Sequence, residues 1–150
     1  MTEARVTDKE AIQAVREIIR RAGHELRNAL SGVSVNVEVV RTRSERQGSA
    51  KDLTSFADRA RLQVGVATAL SDGLLALVSS VLAAAADGTL KNVPAHGAQS
   101  QTELMIYGDG APAVVSDIER LARLVSVSVE QRGQRVILTV LPEGKSHSKD

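Results

Sequence analysis

Two long apolar seams constrain this chain more than any other feature. Between Asp8 and Arg46 the positions Ile12, Val15, Ile19, Ala22, Leu26, Leu30, Val33, Val37 and Val40 recur at spacings of three and four, with one extra four around Leu26. Between Asp52 and Ala86 the series Leu53, Phe56, Ala60, Gln63, Ala67, Leu70, Leu74, Leu77 and Val81 repeats the pattern, with Gln63 its one polar member. Such spacing keeps one stripe of a helix turned to a partner, and the extra four is a stutter. Val33, Val35, Val37 and Val39 also alternate as a strand would, but the seam continues through Val40 and favours helix. The polar run Thr42–Lys51, with Gly48 and Ser49, is the expected turn, and Asp87-Gly88 the stop. Two seamed helices joined this way make an antiparallel hairpin. One hairpin leaves Val64, Val66, Leu75 and Val78 uncovered. Pairing two hairpins into a four-helix bundle would bury them and predicts a homodimer. The alternative is a monomer whose C-terminal part covers that flank.

The last third changes period. Residues Leu90–Gln101 hold Pro94, Gly97 and Ser100 with few large apolar side chains, and read as a linker. Glu103–Tyr107 reads as a strand, Gly108-Asp109-Gly110 as a turn, and Ala111–Leu124 as a helix with Val114, Val115, Ile118, Leu121 and Leu124 inward. Val125–Val129 and Arg135–Leu141 alternate around a turn at Gln131–Gly133 and predict a hairpin. The order β-α-β-β makes a small α+β layer. The expected division is therefore a helical hairpin over 1–88, a linker over 89–102, an α+β unit over 103–142 and a disordered tail over 143–150.

Composition removes several functions. The 150 residues carry a net charge of +1, which gives no electrostatic pull towards nucleic acid. The single Tyr107 and single Phe56 offer no stacking platform for bases. With no cysteine there is no disulfide framework or thiol chemistry, which fits a cytoplasmic location. The polar N-terminus carries no apolar signal segment. Leu74–Ala86, the most apolar stretch, reads as too short and Ala-rich to cross a bilayer, so no membrane partner is expected.

Within the first seam lies Gly23-His24-Glu25-Leu26-Arg27-Asn28-Ala29-Leu30. At about 100° per residue, His24 falls about 160° from the middle of the apolar stripe. Asn28, one turn on, shares that outward face, and Arg21 and Ser31 flank the pair. An exposed imidazole with a carboxylate beside it and an amide one turn away can meet a partner's phosphoryl group. A metalloprotease is excluded, because His-Glu-x-x-His would need histidine where Asn28 stands. His96 and His147 lack metal-site spacing with His24, so no metal site is expected.

The first 86 residues resemble the dimerisation and histidine-phosphotransfer domain of two-component sensor histidine kinases. The family's usual form is His-Glu-Leu-Arg-Asn/Thr-Pro-Leu, and only Ala29 departs from it. The family's proline bends the helix, so its loss predicts a straighter one. The last third resembles the family's ATP-binding domain in reduced form. The helix Ser116–Leu124 lacks the asparagines that hold magnesium and phosphates, and Leu141-Pro-Glu-Gly144 stands where an Asp-x-Gly-x-Gly box binds adenine. The resemblance as a whole is to dimeric histidine phosphotransferases of bacterial phosphorelays, which keep the hairpin and a shrunken, nucleotide-free C-terminal domain.

That resemblance implies phosphoryl relay between His24 and receiver-domain aspartates of response regulators, without ATP. No cofactor is implied, and any magnesium would belong to the receiver. Glu25 would hold one ring nitrogen and fix the tautomer. Asn28 would orient the phosphoryl group or a water. Arg21 and Arg27 would offer charge to phosphate oxygens, and Ser31 would adjoin them. Antiparallel pairing around Gly48 places Asp72 and Gly73 opposite His24, as part of the docking surface. The alternatives are a non-catalytic dimeric scaffold in which His24 is vestigial, and a phosphatase that depends on Asn28 more than on His24.

Overall fold

The computed structural model describes residues 2–46, 50–94 and 100–142. It is an α+β arrangement of three helices and one antiparallel sheet. The elements run α1 (Thr2–Glu45), α2 (Ala50–Asp87), β1 (Lys91–Pro94), β2 (Ser100–Met105), α3 (Ala111–Leu124), β3 (Val127–Arg132) and β4 (Arg135–Val140), with strand order β1-β2-β4-β3. Both long helices form, and α1 runs unbroken through Ala29, where the backbone donor that proline would lack is kept.

α2 turns its expected seam inward. Ala60, Ala67, Leu70, Leu77 and Val81 are buried and Leu53, Phe56, Gln63 and Leu74 half-buried. The α1 seam splits instead. Val15 and Ala22 are buried and Leu26, Val33 and Val40 half-buried, but Ile12, Ile19, Leu30 and Val37 are exposed. The buried face of α1 is rotated towards Ala11, Ala14, Ile18 and Ala29, because α1 packs against the sheet and α3 as well as α2. One core cluster therefore joins Ile18 of α1 and Leu77 of α2 to Leu104, Ile118, Leu121 and Leu138 of the C-terminal layer. By length and composition α2 is long and apolar enough to cross a membrane, which the shorter stretch Leu74–Ala86 did not suggest.

A polar contact fixes the hairpin register. The Asn36 amide donates to Gln63 Oε1 at 2.8 Å and to the Gly32 carbonyl at 3.0 Å. A side chain at position 32 would overlap the Gln63 amide, so Gly32 makes room for the one polar residue of the α2 seam.

Three expectations are corrected. First, the linker contains a strand: Lys91–Pro94 pairs with Ser100–Glu103, giving β-β-α-β-β rather than β-α-β-β. Its residues lack apolar alternation because it is an edge strand, with Pro94 at its end. It is held by buried Leu90 and by an Asn92–Glu10 hydrogen bond of 2.5 Å. Second, β2 spans Ser100–Met105 rather than Glu103–Tyr107. Third, β3 begins at Val127. Val125 ends α3, with its N–H on Ala122 O, and Ser126 adopts a φ of 56° that breaks the extended run. The β3–β4 turn falls at Gly133-Gln134, closed by the pair Arg132↔Arg135. Gly133 takes a φ of 63°, the first-position requirement of the hairpin turns that match strand twist. The helix α3 spans its expected residues. The expected disordered tail, residues 143–150, and the tip residues 47–49 lie outside the described residues, as does His96.

Candidate functional site

α1 and the α3–β3 junction build the site together. His24 and Asn28 are exposed on α1, as are Arg27 and Ser31, and Glu25 is half-buried. His24 stands at a cleft of about 290 Å³ whose walls are Arg20, Arg21 and Glu25 of α1 and Leu124, Val125 and Ser126 of the junction.

Arg21 departs from its expected place on the outer face. Its side chain is nine-tenths buried, and Nη1 donates to Val125 O at 3.1 Å and to Ser126 O at 3.2 Å. These carbonyls end α3, where a cation complements the helix dipole and satisfies oxygens that have no intrahelical donor. Ser126 O also accepts from the Leu141 N–H at 3.1 Å, which ties the end of β4 to the same point. Arg21 therefore clamps the C-terminal layer beside His24.

Glu17 holds both arginines. Arg20 Nε and Nη2 donate to its two carboxylate oxygens at 3.0 and 2.8 Å, and Arg21 Nε reaches Oε1 at 3.0 Å. The hydrogen bonds from Arg20, then Arg21, pull the Glu17 carboxyl down to about 2. Arg20 escaped the sequence reading, although its position one turn before His24 was a usable signal. Leu124–Ser126 carried no such signal, because only the tertiary fold brings them to α1.

Gly73 is likewise corrected. It is buried under α3, where an added Cβ would meet Leu121 and lie 2.9 Å from Asp117 O. It permits a close helix approach and presents nothing to a partner. Asp72 beside it is exposed. The α2 face that carries Gly73 continues uncovered through Val66, seven residues earlier, and Leu62. On α1, Val35 returns to within about 20° of the direction of His24 and is also exposed.

The described residues hold no cluster of three or more His, Cys, Asp or Glu placed to bind a metal. No protein-family model matches the chain, and no curated protein matches it. What fold and site define is an α+β protein with an accessible imidazole at an arginine-walled cleft.

Proposed function

We propose that the chain is a histidine phosphotransferase that relays phosphoryl groups between His24 and receiver-domain aspartates, without binding ATP. The observation that carries this reading is the exposure of His24 at the mouth of the cleft, on a helix whose longest exposed apolar line points elsewhere. Ile12, Ile19, Leu30 and Val37 are separated by seven or eleven residues, so at about 100° per residue they form one exposed line. Val64, Leu75 and Leu82 form the matching line on α2 by the same spacing, with Val78 beside them. A second copy covering these two lines completes a four-helix bundle. His24 lies about 130° from the α1 line by that geometry and stays open to a partner in such a dimer.

In this reading a neutral His24 ring nitrogen attacks the phosphorus of a receiver's aspartyl phosphate, the P–O bond breaks, and the aspartate carboxylate leaves. The ring's other nitrogen gives its proton to water, and Glu25, next in sequence and lining the same cleft, accepts a hydrogen bond there and sets the tautomer. The reverse step returns the group to a second receiver. Positioning carries most of the rate in such transfers. Asn28 and Arg27, exposed on the same helix, orient the phosphoryl oxygens, and Ser31 borders them. The receiver sits over His24 and against the apolar surface of Val35, Leu62 and Val66, with Asp72 at its edge. Gly73 is not part of that surface. Magnesium belongs to the receiver.

The test is transfer of label from a panel of phosphorylated receiver domains, with wild type and His24→Ala. Label on the wild type that is absent from the variant supports the relay. No label from any receiver, with receiver binding unchanged by the mutation, overturns it and leaves a dimeric scaffold.

A further inference from the structure

The relay accounts for an exposed histidine but not for the cleft beside it. A phosphoryl acceptor on a bare helix face would be enough for a receiver to reach. Here the α3–β3 junction rises next to His24 and encloses a space walled by Arg20, Arg21 and Glu25. We propose that this cleft is a phosphate-binding subsite in which the Arg20 guanidinium takes the oxygens of a tetrahedral phosphoryl dianion, either free or carried on His24. The second source rests on the relay reading; the first does not.

The two arginines have different duties. Arg21 is buried and committed to Val125 O, Ser126 O and Glu17, so it fixes the far wall and positions the junction. Arg20 has a side chain 58% exposed, and its fork meets the two oxygens of Glu17. That fork matches two phosphate oxygens as well as it matches a carboxylate. A dianion at Arg20 must displace Glu17 from the fork, and its two charges against the single charge of the carboxylate favour the exchange. Glu17 is thus the resting counter-ion of the subsite. Arg20 and His24 are one turn apart on α1, which sets the bound anion beside the imidazole. Glu25 also lines the cleft, so the attraction is confined to the arginine side.

The test has two arms. In the first, inorganic phosphate is titrated at constant ionic strength into the full chain while NMR follows the Arg20 Nε–H and His24 ring signals. Wild type should give saturable shifts at both, Arg20→Gln should give none at His24, and His24→Ala should keep the shift at Arg20. In the second, phosphoramidate is the phosphoryl donor. A His24 ring nitrogen bonds to phosphorus as the P–N bond breaks, the bonding pair leaves with ammonia, and the other ring nitrogen gives its proton to water. Arg20→Gln should slow this reaction about tenfold or more, because the charge-assisted fork that holds the phosphoryl oxygens is gone. The circular dichroism spectrum and thermal midpoint of Arg20→Gln should match wild type, which separates loss of the fork from loss of the fold.

Shifts without a rate effect assign the subsite to free phosphate, and a rate effect without shifts assigns it to the group on His24. Neither shift nor rate effect overturns the proposal. Phosphate binding with no label from any receiver keeps the subsite and removes the relay. Label from a receiver with neither effect does the reverse.

Discussion

Gly73→Ala should destabilise the protein, whereas the same substitution at Gly65, on the same helix, should stabilise it. At Gly65 nothing lies within 4 Å of an added Cβ. The only change is less backbone freedom in the unfolded chain, worth about 0.5–1 kcal/mol in favour of alanine. At Gly73 the same gain is opposed by contact with Leu121 and with Asp117 O at 2.9 Å. Leu121 is fully buried and the carbonyl is backbone, so neither can rotate away and α3 must lift from α2. Overpacking of this kind costs about 1–3 kcal/mol. The backbone gain is common to both, so the two variants should differ by about 1–3 kcal/mol, which for a chain of this size separates their midpoints by roughly 2–12 °C. Thermal unfolding by circular dichroism at matched concentration measures this. Equal midpoints, or a stabilised Gly73→Ala, would refute the close α2–α3 approach and return Gly73 to the open surface.

Four further outcomes follow. Replacing Leu75 and Leu82 together by Glu should convert a dimer to a monomer of unchanged helicity in sedimentation experiments, and a dimer that persists would place the interface elsewhere. Arg21→Met should cost about 1.5–3 kcal/mol by removing a charged donor from buried carbonyls, read as a lower urea midpoint; no change would mean the clamp contributes nothing. Asn36→Ala should cost about 1–2 kcal/mol, since it leaves Gln63 Oε1 without its donor, and in Asn36→Ala with Gln63→Ala the two losses should be less than additive. Glu17 is held well below an ordinary carboxyl, near 2 against about 4.5. Its contribution is present above the unfolded value and is lost as pH falls through the folded one. Urea midpoints should drop between pH about 4.5 and 2 in wild type, and Glu17→Gln should flatten that stretch of the profile.

What was legible in the sequence follows from the range of the forces involved. Helix periodicity is local, so both long helices and α3 could be read directly, with the inward face of α2. The face of α1 could not be read so exactly, because three neighbours share it and the seam averages over them. Ile12 and Ile19 belong to the outer line, whereas Ile18 belongs to the core. β1 was missed because an edge strand is defined by its hydrogen-bonding partner and not by its own pattern. Among site residues, the exposure of His24 and Asn28 came from helix geometry alone. Arg21 and Gly73 were misplaced for one common reason: α3 lands on both helices, and nothing local to either position announces it.

The most direct measurement maps the modified atom. After incubation with a phosphorylated receiver, the protein would be kept at neutral pH and analysed by tandem mass spectrometry and phosphorus NMR. A single phosphoramidate on His24, absent in His24→Ala and returned to a second receiver, is the predicted result. A protein that binds receivers yet never carries phosphorus on His24 would contradict the account.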